Sequence, residues 1–305
     1  MKRLALLVAI VVIAPQLVRY PALETQILTF GLLAVAFTIL LGEMGFLSFG
    51  QATFNGVGAY AAARVLIDAH APLPLALLVA FAVGAAAAAL VGSLAIVGRG
   101  VYGVMLTFAF NEMAYYVAFQ WRDATGGDNG LRGIPRPDVF GLSLDDPTRY
   151  YYFTAAVVLL AFVAVLRLSG SPFGAVLRAI RENEDRARAI GYRVRRFKIA
   201  AFAISGALSG LAGGLYAELY RFVPLQAIDL DTSTSIVVAA LLGGTGSPYG
   251  ALLGAAIFTV LSNSLSHVWS HWPLLFGLVF CAVVLFFRGG LWSLTERWSR
   301  RAARA

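Results

Sequence analysis

Charged residues are scarce in this chain: they make up 13% of its 305 residues. Soluble domains carry about 25% charged residues, and a soluble fold of this length could not bury the 59% of residues that are hydrophobic. Lipid is therefore the expected solvent, and in lipid the backbone must satisfy its own hydrogen bonds, which favours helices. Apolar runs such as residues 73–97 lack the alternation of a transmembrane β-strand. The predicted fold class is all-α, a polytopic helical bundle in a membrane.

Cysteine and histidine are nearly absent as well. The one cysteine, Cys281, lies in an apolar run, so a disulfide or thiolate–metal framework is excluded. Of the three histidines, His267 and His271 have the i, i+4 spacing of two metal ligands on one helix, but no third ligand is evident. No Ser–His–Asp or paired-carboxylate arrangement is recognisable. We therefore predict no metal site and no enzymatic activity.

Apolar segments long enough to cross a bilayer, about 20 residues each, fill most of the chain. We predict about eight to ten spans, at residues 4–18, 23–42, 46–67, 73–97, 101–120, 150–168, 198–218, 233–247, 250–268 and 273–288. Glycine and polar residues interrupt 43–67, and GGTGSPYG interrupts the chain at 243–250, so broken or re-entrant helices are expected at both places. The first span follows Lys2 and Arg3, as in a signal peptide, but Pro15 interrupts it and no clear cleavage site follows, so we predict that it is retained.

Positive charge is concentrated next to the apolar spans. A net charge of +8 can indicate nucleic-acid binding, but the positive-inside rule explains these positions better, and we predict no nucleic-acid partner. With an even number of spans, both termini and the loop at 169–197 are cytoplasmic. The loop at 121–149, with four arginines against five aspartates, is extracytoplasmic. The chain is then one transmembrane domain, 1–305, with a cytoplasmic tail at 289–305.

The most basic stretch, residues 178–198, holds seven arginines, one lysine and three acidic residues. Apolar residues around it recur at helical spacing, and Gly191 is suited to end a helix. Glu182 and Arg186 are one helical turn apart and are expected to pair. The pattern predicts one or two short amphipathic helices on the membrane face that bind a cytoplasmic partner. A solvated loop that only fixes the topology is the alternative.

Four segments resemble one transporter family. Residues 178–217 look like the coupling region in the permease subunits of branched-chain amino-acid ABC importers, and residues 42–63 are similar to the early glycine-rich motif of that family. Residues 125–135, TGGDNGLRGIP, resemble the outer-loop signature of the M-type (LivM) rather than the H-type (LivH) subunit, although Asn129 departs from the commonest pattern. Residues 241–256 resemble the late glycine-rich motif. The four occur in the family's order along nearly the whole chain.

The resemblance implies a transport subunit of the bacterial inner membrane that binds no cofactor, with ATP and Mg²⁺ used by partner subunits. The implied partners are a homologous LivH-type permease, two ATP-binding subunits, a solute-binding protein and membrane lipid. The two lysines, Lys2 and Lys198, do not lie in the setting of a P-loop, which agrees with an ATPase on another chain. The implied solutes are leucine, isoleucine and valine. The alternatives are a permease of this type for urea, amides or small aromatic acids, a stand-alone secondary transporter, and a membrane-embedded enzyme, for which no clustered catalytic groups are found.

Three sets of candidate site residues follow from these patterns. The resemblance places coupling to the ATPase at Arg181, Glu182, Glu184, Ala187, Ala189 and Gly191. Polar residues are costly inside a membrane and default to a functional role, which suggests a solute pathway at Gln51, Asn55, Asn111 and Glu112. The outer loop suggests a docking site for the binding protein at Gly126, Gly127, Asp128 and Asn129, with a turn-rich helix cap as the alternative.

Some polar and glycine positions are expected to be structural. Asn111 and Glu112 lie in mid-span with no evident local partner, so a buried structural role and a role in joining subunits stay open beside the pathway. The acids and arginine near span ends are expected to reach water; they are Glu43, Arg64 and Glu218. Small residues at near-helical spacing are expected to let helices pack closely; they are Gly206, Gly210, Gly213 and Gly214.

Overall fold

The computed structural model describes residues 2–18, 20–98, 100–136, 143–268, 274, 277 and 290–292. The predicted span at 273–288, apart from two isolated residues, lies outside this part of the chain, as do Cys281, His271 and nearly all of the predicted tail. The side chain of His267 is also not among those described.

The described residues form twelve α-helices and very little else, which confirms the predicted all-α class. The helices are α1 (Lys2–Val18), α2 (Pro21–Thr38), α3 (Gln51–Asp68), α4 (Leu73–Ala95), α5 (Val101–Gln120), α6 (Arg122–Thr125), α7 (Pro147–Ser169), α8 (Pro172–Glu182), α9 (Glu184–Ala189), α10 (Val194–Tyr220), α11 (Leu230–Gly243) and α12 (Pro248–Val268). A π-helical turn, Ile39–Glu43, continues α2. Short 3-10 turns at Gly127–Asn129 and Leu225–Ile228 flank two-residue strands, β1 (Leu131–Arg132) and β2 (Phe222–Val223), which pair antiparallel.

Five helical stretches in the described part of the chain are long and apolar enough to cross a membrane. They are Pro21–Glu43, Leu73–Ala95, Pro147–Ser169, Val194–Tyr220 and Pro248–Leu265. The predicted spans at 46–67 and 101–120 correspond to α3 and α5, which carry the polar residues of the predicted pathway. The sequence placed the start of α3 too early, because residues 46–50 contain no helix.

Close backbone packing around α10 forms the centre of the bundle, with α2, α3 and α4 against it. A Cβ on Gly210 would lie 2.3 Å from the carbonyl oxygen of Ala80 in α4, and a Cβ on Gly213 would lie 1.9 Å from the carbonyl oxygen of Asn55 in α3. Any side chain at either glycine would push the helices apart, because real Cβ contacts are not that short. The predicted packing role of these glycines is confirmed, and it matches the use of small residues between membrane helices.

Two stretches without helix interrupt the bundle, residues 44–50 before α3 and residues 244–247 between α11 and α12. Residues 44–50 have no helical structure, yet the backbone N–H of Phe49 donates to Thr107 Oγ1 (3.1 Å), well inside α5. Helix α3 therefore begins within the bundle. This agrees with the broken helix that the glycine-rich sequence predicted here. Helix α11 has 14 residues and so a length of about 21 Å at 1.5 Å per residue, shorter than the roughly 30 Å hydrocarbon core.

The connections between helices gather at two opposite ends. At the basic end, α8 contacts the π turn of α2, and a Cβ on Gly42 would lie 2.2 Å from the carbonyl oxygen of Thr245 in the turn after α11. At the loop end, β1 pairs with β2, and Arg64 donates to the carbonyl oxygens of Asp123 and Ala124. Within each end, loops that are distant in sequence are thus in contact with one another.

Candidate coupling surface and solute pathway

Helix α8 begins at a sequence-encoded cap and packs one face on the bundle. Ser171 Oγ accepts the N–H of Gly174 (3.5 Å), and Pro172 occupies the first turn, where its missing N–H costs nothing. The apolar residues Val176, Leu177 and Ile180 are buried, whereas Arg178 is partly exposed and Arg181 is exposed. The predicted amphipathic helix is therefore present on the face of the bundle.

Asn183 separates α8 from α9. Its backbone is extended, and its Oδ1 accepts the N–H of Arg186 (2.9 Å) as the N-cap of α9. The expected pairing of Glu182 with Arg186 is wrong, since the break places these residues on different helices. Instead Glu184 binds both Arg188 (2.9 Å) and Lys198 at the start of α10 (2.6 Å).

Gly191 ends α9 in the way its sequence position predicted. Its φ is +101°, and its N–H donates to the carbonyl oxygen of Arg188 (3.0 Å). The N–H of Tyr192 donates to the carbonyl oxygen of Ala187 (3.2 Å), which completes a Schellman motif. A residue with a Cβ would be strained at this φ, although no atom lies within 4 Å of where that Cβ would be.

The two sides of α9 differ sharply in exposure. Ala187 is 2% exposed and packs with Val176, Ile180 and Val194 in a small apolar cluster. On the other side Ala189 and Gly191 are exposed, and Ile190 between them is 70% exposed. These residues form a small apolar tip that stands among the arginines of this segment.

A groove of about 720 Å³ lies between this helix pair and the connection from α4 to α5. Its walls include the predicted coupling residues Arg181, Glu182 and Glu184. Of the other three candidate coupling residues, Ala187 lies on the buried side of α9, and Ala189 and Gly191 are exposed. The structure thus places the six residues of the predicted set on α8, on α9 and in the turn that ends α9.

Helix α8 is joined to the end of α2 by two arginines. Arg178 Nη1 lies 2.6 Å from Glu43 Oε2 and 2.8 Å from the carbonyl oxygen of Ser169. Arg181 donates to the carbonyl oxygen of Gly42. The sequence suggested only that Glu43 would reach water; its carboxylate is instead the acceptor that links the basic loop to a membrane helix.

Asn111 is the centre of a buried polar network whose members are distant in sequence, which favours the structural role that the sequence left open. Its Oδ1 accepts from the N–H (3.2 Å) and hydroxyl (2.9 Å) of Thr53, and its Nδ2 donates to the carbonyl oxygen of Ile228 (2.9 Å). Ser233 supports the same helix start, because its Oγ accepts the N–H of Ala52 (3.0 Å) and donates to the carbonyl oxygen of Phe49 (2.6 Å). These bonds satisfy the first N–H groups of α3 inside the bundle, where water is absent.

Gln51 has a similar structural environment. Its Nε2 donates to Ser205 Oγ (2.9 Å), and its Oε1 accepts from Ser209 Oγ (2.7 Å), so both ends of the amide bind α10. The side chain is fully buried. Ser205 and Ser209 are one turn apart on one face of α10, and this spacing in the sequence indicates a polar contact between helices.

Asn55 and Glu112, the other two predicted pathway residues, lie in different settings. Asn55 is 5% exposed and lines a small cavity. Glu112 is partly exposed on α5, whose buried residues form only a narrow stripe, Gly103, Thr107, Asn111 and Ala118. It forms no ion pair or hydrogen bond with the residues that the structure describes.

The predicted docking loop forms a tight turn at the loop end. Gly126 and Gly127 have positive φ, and a Cβ on Gly126 would lie 2.1 Å from the carbonyl oxygen of Gly130. The next two residues, Asp128 and Asn129, are exposed at the tip of the turn. The glycines therefore shape the turn, and the two polar residues face outward.

The loop end contains a buried ion pair that was not predicted from the sequence. Glu218 was expected to reach water, but its side chain is fully buried and its Oε1 accepts from Arg136 Nε (2.9 Å). Arg136 also donates to the carbonyl oxygens of Leu144 (3.0 Å) and Glu218 (3.0 Å), and its guanidinium lies over the ring of Tyr150 (4.6 Å). The partners are 82 residues apart, so spacing carries no signal of the pair.

Within the described residues, no three His, Cys, Asp or Glu side chains are grouped so that they could hold a metal ion. Apolar helices broken at two glycine-rich points, with an exposed basic helix pair at one end, define a multi-pass membrane protein built like a transport subunit.

Known proteins match this chain over most of its length. The family model described as "Branched-chain amino acid transport system / permease component" matches residues 22–287. The high-affinity branched-chain amino acid transport system permease protein LivM of Escherichia coli K12 is 31% identical over 306 residues, which cover 90% of this chain and 71% of that protein. The protein of the same name from Salmonella typhimurium is 29% identical over 280 residues, which cover 83% of this chain and 65% of that protein. The autoinducer 2 import system permease protein LsrC of an Enterobacter species is 30% identical over 203 residues, or 63% of this chain and 56% of that protein.

The chain belongs to the family of permease components of branched-chain amino acid transport systems. The family predicted from its four motifs is therefore confirmed. The chain spans about two thirds of the length of the two LivM proteins.

Proposed function

We propose that this chain is the membrane-spanning subunit of an ABC importer for leucine, isoleucine and valine, and that separate ATP-binding subunits dock on α8 and α9. The observation that carries this proposal is the exposed apolar tip of α9, at Ala189 and Ile190, on a helix pair that two arginines join to α2. ATP and Mg²⁺ are used by the partner subunits. The names of the two LivM relatives support the class of solute.

Two contacts support a mechanical route from the docking helices into the bundle. Arg178 and Arg181 hold the last turn of α2 through Glu43 and the carbonyl oxygen of Gly42. Gly42 in turn packs against Thr245 in the turn between α11 and α12. A displacement of α8 would therefore move both glycine-rich breaks together, because α2 leads directly into the non-helical residues 44–50. Such a movement can open one side of the solute pathway and close the other, as alternating access requires.

The wide face of α5 supports a second permease subunit as a partner. Large apolar side chains on this helix are more than a third exposed; they are Val101, Tyr102, Met105, Phe108, Met113, Tyr116, Val117 and Phe119. Glu112 lies among them at the middle of the helix, where a carboxylate facing lipid is costly. We infer that a homologous permease covers this face and that Glu112 faces the water-filled path between the two subunits.

The two ends of the bundle support an orientation. The basic end holds the cations of residues 178–198, so the positive-inside rule places it in the cytoplasm of a bacterial cell, with both termini on that side of the inner membrane. The loop end then faces the solute-binding protein. The exposed tip at Asp128 and Asn129, on a turn shaped by Gly126 and Gly127, is the proposed contact.

Reconstitution tests this function directly. The chain should copurify with ATP-binding subunits and a second permease. Proteoliposomes that also contain a leucine-loaded binding protein should take up labelled leucine only with ATP and Mg²⁺. Uptake of urea or benzoate in place of leucine would favour the alternative solutes. Uptake by this chain alone, without any ATPase and abolished by an ionophore, would contradict the proposal and favour a secondary transporter.

A further inference from the structure

A small cavity lies inside the chain, between α2, α3, α10 and the segment that leads into α11. Its volume is about 140 Å³. The residues that matter for its chemistry are Gln26, Phe30, Leu33, Asn55, Leu219 and Gln226. It lies toward the loop end, because the 3-10 turn Leu225–Ile228 contributes to its wall.

Asn55 is the exception among the buried amides of this chain. The amides of Gln51 and Asn111 bind neighbouring residues at both ends. The Asn55 side chain is slightly less buried, at 5% exposure against 0% for the other two, and its amide makes no hydrogen bond with any residue that the structure describes. Its amide atoms keep some accessible surface, and the residue lines the cavity. A buried amide without a partner is destabilising, so natural proteins seldom keep one unless water or a ligand completes it. Since Asn55 lines the cavity, the missing partner belongs inside it.

The backbone around Asn55 is held firmly in place. A Cβ on Gly213 would lie 1.9 Å from the carbonyl oxygen of Asn55, and a Cβ on Gly56 would lie 2.2 Å from Ile228 Cγ1. Helix α3 is thus pressed between α10 and the turn before α11. The backbone that carries the Asn55 amide is therefore fixed before a ligand binds, so no backbone entropy needs to be lost on binding.

The lining defines the ligand that fits. No charged side chain is among the lining residues, so a solute with net charge would leave that charge unpaired in an apolar site. Phe30, Leu33 and Leu219 offer an apolar wall, while Asn55 offers both a donor and an acceptor. A zwitterion with a small aliphatic side chain has no net charge and fits both parts of the site. Its carboxylate can accept from Asn55 Nδ2, its ammonium can donate to Asn55 Oδ1, and its side chain can pack on the apolar wall.

We propose that this cavity is a solute-binding waypoint for small aliphatic amino acids and that Asn55 is the residue that holds their polar end. The inference rests on the proposed function and assigns part of the solute pathway to one chain. It also gives Asn55 a different role from Gln51 and Asn111, because the amides of those two residues already form hydrogen bonds within the protein.

The test is uptake of leucine by the complete transporter in proteoliposomes, with Asn55→Leu compared with wild type. We expect leucine uptake to fall tenfold or more, while the ATPase activity without binding protein stays within twofold. Asn55→Ser, which keeps a hydrogen-bonding group, should recover part of the uptake. Tyr60→Phe is the matched control, since it removes a buried polar group of α3, the Tyr60 hydroxyl, that has no hydrogen-bond partner among the described residues and lies outside the cavity wall; it should leave uptake unchanged.

A second variant keeps the inference testable if Asn55→Leu does not assemble. Leu33→Phe narrows the cavity from the opposite wall without changing the amide. It should lower the uptake of leucine at least threefold more than that of alanine. Wild-type leucine uptake and solute preference in both Asn55→Leu and Leu33→Phe would overturn the waypoint while leaving the proposed function intact. If the wild-type complex carries no aliphatic amino acid, the proposed function fails, and the assignment of this ligand fails with it.

Discussion

Two arginine–glutamate pairs join a loop to a membrane helix, one at each end of the bundle, and their environments are opposite. At the loop end Arg136 and Glu218 have side chains that are 8% and 0% exposed. At the basic end Arg178 and Glu43 are 41% and 17% exposed, although their 2.6 Å contact is the shorter of the two. The exposed pair has the shorter contact, but the buried pair is expected to contribute more to the free energy of unfolding, because burial decides the cost of breaking it.

The difference follows from the cost of removing charge from water. A buried pair is strongly destabilising to break, because the remaining charge is left without a partner. An exposed pair contributes little to stability, because water and salt compensate for its loss. The buried pair at the loop end is therefore costly to break, whereas the exposed pair at the basic end can exchange partners at little cost. The proposed coupling mechanism requires this contrast, because α8 must move while the loop end stays fixed.

The largest effect is expected from breaking the buried pair. Arg136→Met leaves the Glu218 carboxylate unpaired, and Glu218 Oε2 already lacks a hydrogen-bond partner among the described residues. We expect a loss of about 3–5 kcal/mol in the free energy of unfolding, measured by denaturation in detergent micelles. The double variant Arg136→Met with Glu218→Leu should recover most of this loss. A single-variant cost below about 1 kcal/mol would show that the pair is not buried in the way described.

Asn111 provides the next largest effect, and Glu112 beside it provides the control. Asn111→Leu removes the acceptor for Thr53 and the donor to Ile228, so we expect a loss of roughly 2–3 kcal/mol from the buried groups left unpaired. Glu112→Gln has no such partners and should change stability by less than about 0.5 kcal/mol. Its effect should appear instead in solute uptake or in association with the second permease. Equal stability effects of the two substitutions would contradict the assignment of Asn111 to the structure.

Gly191 tests the exposed surface without disturbing the core. Gly191→Trp should strain the end of α9 by about 1–2 kcal/mol and place a bulky side chain where nothing lies within 4 Å. Uptake of leucine should be lost while ATP hydrolysis continues, because the ATPase would no longer fit the tip. Gly191→Asn is the matched control, since asparagine tolerates positive φ better than other residues. Full uptake by the tryptophan variant in assembled complexes would place the docking surface elsewhere.

The exposed pair should have the smallest effect on stability and a clear effect on coupling. Glu43→Gln should change the free energy of unfolding by less than about 1 kcal/mol. The amount of leucine imported per ATP should nevertheless fall, because one of the two links between α8 and α2 would lose its charge and become weaker. The charge swap Glu43→Arg with Arg178→Glu should restore part of that ratio. A swap that behaves like the single variant would show that the contact is incidental.

Local features of this fold could be predicted from sequence, because their physical causes are local. Apolar length predicted the long helices, glycine and polar residues predicted the break before α3, and Gly191 predicted the end of α9. The partners of buried polar groups could not be predicted in this way. Asn111 binds a residue 58 positions away, and Ser233 binds one 184 positions away. Helical periodicity shows that such residues face inward but not which helix they meet.

The same limit applies to the candidate sites. The candidate coupling residues lie within eleven positions of one another, so their common place in the fold could be predicted from the sequence, while their coupling role stays a prediction. The four pathway residues could not be separated, since each is simply a polar side chain in an apolar stretch. Only packing distinguishes Gln51 and Asn111, whose amides are bound, from Asn55, which lines a cavity.

The most direct test of the coupling proposal is the side of the membrane from which α9 can be labelled. Ala189→Cys would be introduced with Cys281→Ser, so that one thiol remains, and treated with a membrane-impermeant maleimide. Asn129→Cys in the same background is the control for the opposite side. We expect Ala189→Cys to react only from the cytoplasmic side and to be protected when the ATP-binding subunits are present. Reaction of Ala189→Cys from the external side would contradict the proposed orientation and the docking surface with it.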